Sequence, residues 1–265
     1  MSITNRLTTR FNELDAYGRP GFVAYMMAGD GDSQALLNAL PGAGADVIEL
    51  GMPFTDPMAD GASIQKAALR ALEAGMTLKG TLAQAAEFRK SNRETPIVLM
   101  GYANPIHAMG WAVFAKAASK AGIDGLICVD LPPEEDSELR TLLAEQNISM
   151  IRLATPTTDD ARLGRVVENT SGFVYYVSTT GVTGAGSGAV TEVGEAVDRV
   201  RKASGLPVAV GFGVRTPEHA ATIAQRADAV VVGSAIVDAM AEGGVDGATG
   251  LVKELAAAVH GARRA

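Results

Sequence analysis

The chain has 265 residues, of which 23 are Lys or Arg and 30 are Asp or Glu, giving a formal charge of −7. That balance excludes the basic face that nucleic-acid binding requires, and no apolar run approaches the roughly 18 residues of a membrane span. Hydrophobic residues make up 47%, ample for a packed core, while 30 glycines and 5% aromatics point to small aliphatic side chains joined by tight turns. The first twenty residues are polar and charged throughout, so export is not expected. A lone cysteine, Cys128, excludes an intrachain disulfide and a cysteine-rich metal site, and the expected compartment is the reducing cytoplasm.

Along the chain, Leu7, Phe11 and Leu14 share one face of a helix predicted over Thr4–Asp15. Eight short apolar runs follow: FVAYMM from Phe22, DVIEL from Asp46, PIVLM from Pro96, GLICV from Gly125, SMIRL from Ser149, FVYYV from Phe173, PVAVGF from Pro207 and AVVVG from Ala229. None alternates strictly between apolar and polar, which is how parallel strands buried on both faces read. Between them lie alanine-rich segments of helical spacing, such as Trp111, Phe114 and Ala118, or Val193, Val197 and Val200. Thr216-Pro217-Glu218 reads as an N-cap with proline at the first helical position, and Ser137 and Thr158 are further cap candidates. The longest interval, between the second and third strands, holds helices near Ser63–Glu73 and Leu78–Ser91.

Strand then helix, eight times, is the pattern of a (β/α)8 TIM barrel, with an open doubly wound sheet as the alternative. The N-terminal helix is then an addition that closes the barrel's bottom. No linker or compositional shift interrupts the chain, so residues 1–265 read as a single domain.

In such a barrel, chemistry gathers at the carboxyl ends of the strands. Glu49 is an acid inside an apolar strand; facing inward, it would have its pKa raised by desolvation and be poised to take and return a proton. Facing a cation, it would be a structural ion pair. Asp60 follows a loop stiffened by Pro53 and Pro57, where a turn or cap role is the alternative. Three glycine turns at successive late strand ends, Gly184 in GVTGAGSG, Gly213 in GFGVR and Gly233-Ser234, suit close backbone approach to a phosphate. Ser234 is placed to cap a short helix there.

The run IELGMPFTDPMADG from Ile48 resembles the signature of the tryptophan synthase alpha subunit family. GDGD after strand one, PIVLMGYANP, GVTGAGSG, GFGVRTPE and VVGSAIV follow in the family's order, so the resemblance spans essentially the whole chain. It implies a lyase of tryptophan biosynthesis that performs retro-aldol cleavage of indole-3-glycerol phosphate to indole and glyceraldehyde 3-phosphate. By the same resemblance Glu49 transfers the proton, Asp60 accepts the indole N–H, and Tyr175 stands near the acid, while Tyr176 points to packing. Phe22, Met100, Ile127, Val129, Leu153 and Phe212 surround the ring, and Thr183 is a lid contact in a loop, 179–189, expected to order on ligand.

The resemblance also implies a pyridoxal-phosphate beta subunit as partner in an α2β2 heterotetramer, with no cofactor in this chain. Pro53, Phe54, Asp56, Pro57 and Asn104 fall on the rim that would meet it. His107, His219 and His260 lack ligand spacing, so no metal site is expected. Cys128 reads as an inert buried thiol. Lys66, Lys79, Lys90 and Lys116 all lie on helices, which disfavours a Schiff-base aldolase. Competing readings are another phosphate-binding barrel, such as indole-3-glycerol phosphate synthase or a sugar-phosphate isomerase, and a silent barrel that only activates its partner.

Overall fold

The computed structural model describes residues 3–178, 187–211 and 213–262, with backbone only for 187–191. In chain order the elements are α1 Arg6–Ala16, β1 Gly21–Met27, α2 Ser33–Ala39, β2 Val47–Gly51, α3 Ala62–Glu73, α4 Leu78–Phe88, β3 Ile97–Gly101, α5 Ala103–Met109 and α6 Trp111–Ala121. There follow β4 Gly125–Cys128, α7 Ser137–Glu145, β5 Ser149–Ala154, α8 Asp160–Val167, β6 Val174–Val177, α9 Ser187–Ser204, β7 Val208–Gly211, α10 Pro217–Ala224, β8 Ala229–Val232 and α11 Ser234–Gly261. Among the described residues the eight strands are all parallel and close in sequence order, β8 pairing back onto β1. The alternative of an open doubly wound sheet is thereby excluded. No helix among the described residues is long and apolar enough to cross a membrane.

Alternation along each strand divides the apolar residues into two compartments. Phe22, Ala24 and Met26 of β1, with Ile48 and Leu50 of β2, face the helices. Val23, Val47, Val98, Ile127, Ile151, Ala209 and Val231 fill the barrel. The lower end of this second compartment is plugged by α1, whose Leu7, Phe11 and Leu14 are buried and whose Phe11 ring lies 5.4 Å from that of Phe173. Each such side chain contributes about 1.5–3 kcal/mol by burial. Glycine on β1 makes room for the plug, since a Cβ at Gly21 would stand 2.8 Å from Leu14 Cδ1. Asn5 caps α1 by accepting from the N–H groups of Leu7 and Thr8, while its own Nδ2 donates to the Asp124 carbonyl at 2.8 Å.

A fourfold device fixes strand register at this end. Immediately before β2, Asp46 donates its N–H to the Phe22 carbonyl and accepts the Phe22 N–H on its carboxylate, at 2.9 Å each. Asp124 does the same with Ile97 before β4, and Asp228 with Val208 before β8. Ser171, before β6, repeats it with Met150 through its hydroxyl. Each even strand is thus latched to the odd strand preceding it, and a one-residue slip would break both bonds at once. The three aspartates also carry arginine partners: Arg19 on Asp46, Arg6 and Arg89 on Asp124, and Arg201 on Asp228.

Two predicted caps differ. Thr216 caps α10 through the His219 N–H, but Ser137 is already inside α7 and Asp136 holds the cap position. At α8 the cap is Asp159, one residue past Thr158, accepting the Arg162 N–H at 2.7 Å. The Asp159 carboxylate thus meets a free N–H of the first turn, the usual N-cap contact, whereas the Asp136 side chain makes no cap bond to α7. Asp136 is fully buried because it serves Arg152 of β5 instead, at 2.5 Å.

Candidate active site

At the carboxyl ends of the strands lies a cleft of about 200 Å³. Glu49 shares the inward face of β2 with Val47 and is 1% exposed. Burial, and secondarily the negative charge of Asp60, push its carboxyl up to about 8. Its Oε2 is buried with no hydrogen-bond partner among the described residues. A structural ion pair, the competing reading of an acid in an apolar strand, would have consumed that oxygen. Glu49 therefore stands as a neutral acid near pH 7, open toward the cleft.

Asp60 lies at the cleft wall, one residue before Gly61, the N-cap of α3. Burial raises it to about 6, and a hydrogen bond from the Tyr102 phenol opposes the rise. The Tyr102 oxygen also accepts the Ala59 N–H at 3.1 Å, so one phenol grips two successive residues of the loop. Phe54 packs on the Tyr102 ring with centroids 5.4 Å apart, and Gln65 donates to the Asp60 carbonyl at 2.8 Å. Arg70 pins α3 from behind through a forked pair to Asp30, at 2.6 and 2.7 Å. The two acids thus line one cleft with pKa values about two units apart, which separates a proton donor from an ionised carboxylate.

Tyr25 and Tyr175 complete the floor. Tyr25 is the ladder partner of Glu49 across β1 and β2, and Tyr175 pairs with Ala209 across β6 and β7. Each phenol leans over a glycine of the neighbouring strand: a Cβ at Gly51 would collide with the Tyr25 hydroxyl, and one at Gly211 with that of Tyr175. Burial raises both phenols well above their ordinary range, so they remain neutral. The cleft lining also holds Gly213, Gly233 and Ser234, the last opening α11.

Of the residues expected around the ring, Met100 and Tyr175 line the cleft. Phe22 does not: it shares the helix-facing side of β1 with Ala24 and Met26, and the inward aromatic is Tyr25. Three residues separate them on a strand of period two, which reverses the face. Ile127 is packed within the barrel and fully buried, whereas Val129 and Leu153 border a second cleft over β4 and β5 with Arg152 and Arg162. Thr183, Gly184 and Phe212 lie outside the described residues. On the rim, Phe54 and Pro57 are half-buried and Asp56 and Asn104 exposed, but Pro53 is buried and stiffens the loop without offering surface. Tyr176 faces the helices, and Cys128 is buried with its thiol pushed up by burial. His260 pairs with Asp46 at 2.7 Å, far from the cleft on the register latch.

Sequence reasoning passed over Tyr25, Tyr102, Ile64 and Arg215, all in or behind the cleft. The available signal for Tyr25 was Gly51, an inward glycine two residues past the acid that makes room for a large neighbour.

The family model described as the tryptophan synthase alpha chain matches residues 11–264. The chain belongs to that family. A tryptophan synthase alpha chain from Caulobacter vibrioides is 59% identical over 237 residues, covering 88% of this chain and 86% of its own length. Among solved structures, tryptophan synthase subunit alpha from Legionella pneumophila superposes with a TM-score of 0.90 at 35% identity, covering 97% of this chain and 98% of that one. A Mycobacterium tuberculosis tryptophan synthase chain gives 0.89 at 39% identity, covering 97% and 99%. As a tryptophan synthase alpha chain, the protein is a lyase of tryptophan biosynthesis on a TIM barrel, and the family reaction is cleavage of indole-3-glycerol phosphate.

Proposed function

We propose that Glu49 and Asp60 carry out the retro-aldol cleavage of indole-3-glycerol phosphate in this chain. Breaking the bond between ring and side chain requires a proton on the ring carbon, loss of the proton of the adjacent side-chain hydroxyl, and compensation of positive charge at the ring nitrogen. Glu49, protonated near neutral pH with one oxygen unengaged, supplies the first proton and, once ionised, removes the hydroxyl proton. Electrons of the breaking bond return to the ring as the aldehyde forms. Asp60, ionised above about 6, accepts the indole N–H and stabilises the cation in the partly dry cleft. Tyr25, Tyr175 and Met100 supply the apolar bed for the ring.

By family correspondence Phe212 lies at the ring, Thr183 at the lid, and Gly184 joins Gly213, Gly233 and Ser234 at the phosphate end. The backbone N–H groups of Gly213, Gly233 and Ser234 and the N-terminus of α11 suit a dianion. The observation that carries this reading is the unsatisfied, neutral Glu49 in the same cleft as Asp60. Steady-state indole release from indole-3-glycerol phosphate, by the chain alone and with a beta subunit, tests it against the silent-barrel alternative: indole in either condition supports the lyase, and none in both removes it.

A beta subunit as partner follows from family membership; the α2β2 stoichiometry, pyridoxal phosphate in that partner, a cytoplasmic location and a single domain over 1–265 are parts of the proposal. Phe54, Asp56, Pro57 and Asn104 sit on the catalytic rim with Met58, which is 83% exposed, and suit an interface.

A further inference from the structure

Among the described residues lining the catalytic cleft, Arg215 is the one cation, in the same lining as the acids Glu49 and Asp60. Its Nη2 stands 2.8 Å from Oδ2 of Asp238, and the two side chains are 53% and 37% exposed. Asp238 lies four residues beyond Ser234 in α11, on the same helix face and one turn on. Ser234, the first residue of that helix, lines the same cleft as Arg215.

We propose that Arg215 is a phosphate-binding side chain that exchanges Asp238 for the substrate's phosphate, with Asp238 as the internal anion it leaves. This rests on the reading of Gly213, Gly233 and Ser234 as the phosphate end. A helix terminus offers only about half an elementary charge, and the Asp60 carboxylate in the same cleft opposes a dianion. Arg215 brings a full positive charge and a fork that matches phosphate oxygens. The pair it must give up is weak, because both partners are solvated. Asp238 is not stranded by the exchange: its charge also acts on Arg70, whose main partner is Asp30.

The test is calorimetric binding of glycerol 3-phosphate, with glycerol and indole as phosphate-free probes. Wild type binds glycerol 3-phosphate far more tightly than glycerol. Arg215→Gln weakens glycerol 3-phosphate about tenfold, the loss expected for one exposed charge-assisted contact. Arg215→Lys falls between, keeping the charge but losing the fork. Asp238→Asn tightens binding, since the competing anion is gone. Indole affinity stays constant throughout. Unchanged phosphate affinity in Arg215→Gln, or weakening in Asp238→Asn, overturns the role of Arg215 while leaving the phosphate end intact. Wild type that does not distinguish glycerol 3-phosphate from glycerol overturns the phosphate end itself, and the proposal with it.

Discussion

Tyr25 sits directly across the β1–β2 ladder from Glu49, and its hydroxyl fills the space that a side chain at Gly51, two residues past the acid, would need. The cleft floor beside the proton-transfer group is therefore set by a glycine. Gly51→Ala forces the Tyr25 ring into the cleft and should lower kcat/KM for indole release by about tenfold or more, the scale of a misplaced active-site group. Tyr25→Phe removes the closest atom, so the double variant recovers part of the loss. Equal activity of Gly51→Ala and wild type would mean that the ring shifts without consequence.

The two carboxyls predict the pH dependence. Turnover by the free enzyme requires Asp60 ionised and Glu49 protonated, so kcat/KM falls as pH drops below about 6 and falls again as it rises above about 8. The Tyr102 hydrogen bond holds Asp60 down; Tyr102→Phe should therefore move the acidic limb upward and leave the alkaline limb in place. A profile with no alkaline limb would contradict Glu49 as the acid.

The register latches predict a stability effect separate from catalysis. Asp124 joins the Ile97 N–H, Arg6 and Arg89 at the barrel's lower end, with the Arg89 side chain only 10% exposed. Asp124→Ala leaves that arginine without its carboxylate and should cost about 3 kcal/mol or more in denaturant unfolding, the usual scale for breaking a buried pair. A loss under about 1 kcal/mol would show that the backbone ladder alone holds the register.

On the rim, Phe54 both faces the proposed partner and braces Tyr102. Phe54→Ala should weaken beta-subunit binding and also slow the isolated chain, through Asp60. Met58→Asp, exposed and with no such contact described, should weaken binding alone. Sedimentation of the mixed subunits, beside indole release by the chain alone, separates the two; identical behaviour of both variants would contradict the brace.

The fold was legible because buried parallel strands read as short apolar runs and each of the eight has a helical segment after it. Glu49 was legible as an acid where apolar residues belong. Phe22 was misplaced because near-continuous apolar runs such as FVAYMM carry no alternation to say which residue faces inward; only the pairing of Tyr25 with Glu49 fixes that. Tyr102 was invisible for another reason, since its role arises from a contact 43 residues away in sequence. Nothing in the sequence singles out the three latching aspartates; only their bonds to the preceding strands set them apart.

The central claim is that two named acids perform the cleavage. Indole release by Glu49→Gln and Asp60→Asn, each saturated with indole-3-glycerol phosphate, tests it most directly. Loss of at least about 100-fold in both is predicted, the usual worth of positioned proton transfer and preorganised charge. Retention of more than about a tenth of the wild-type rate in Glu49→Gln would contradict it.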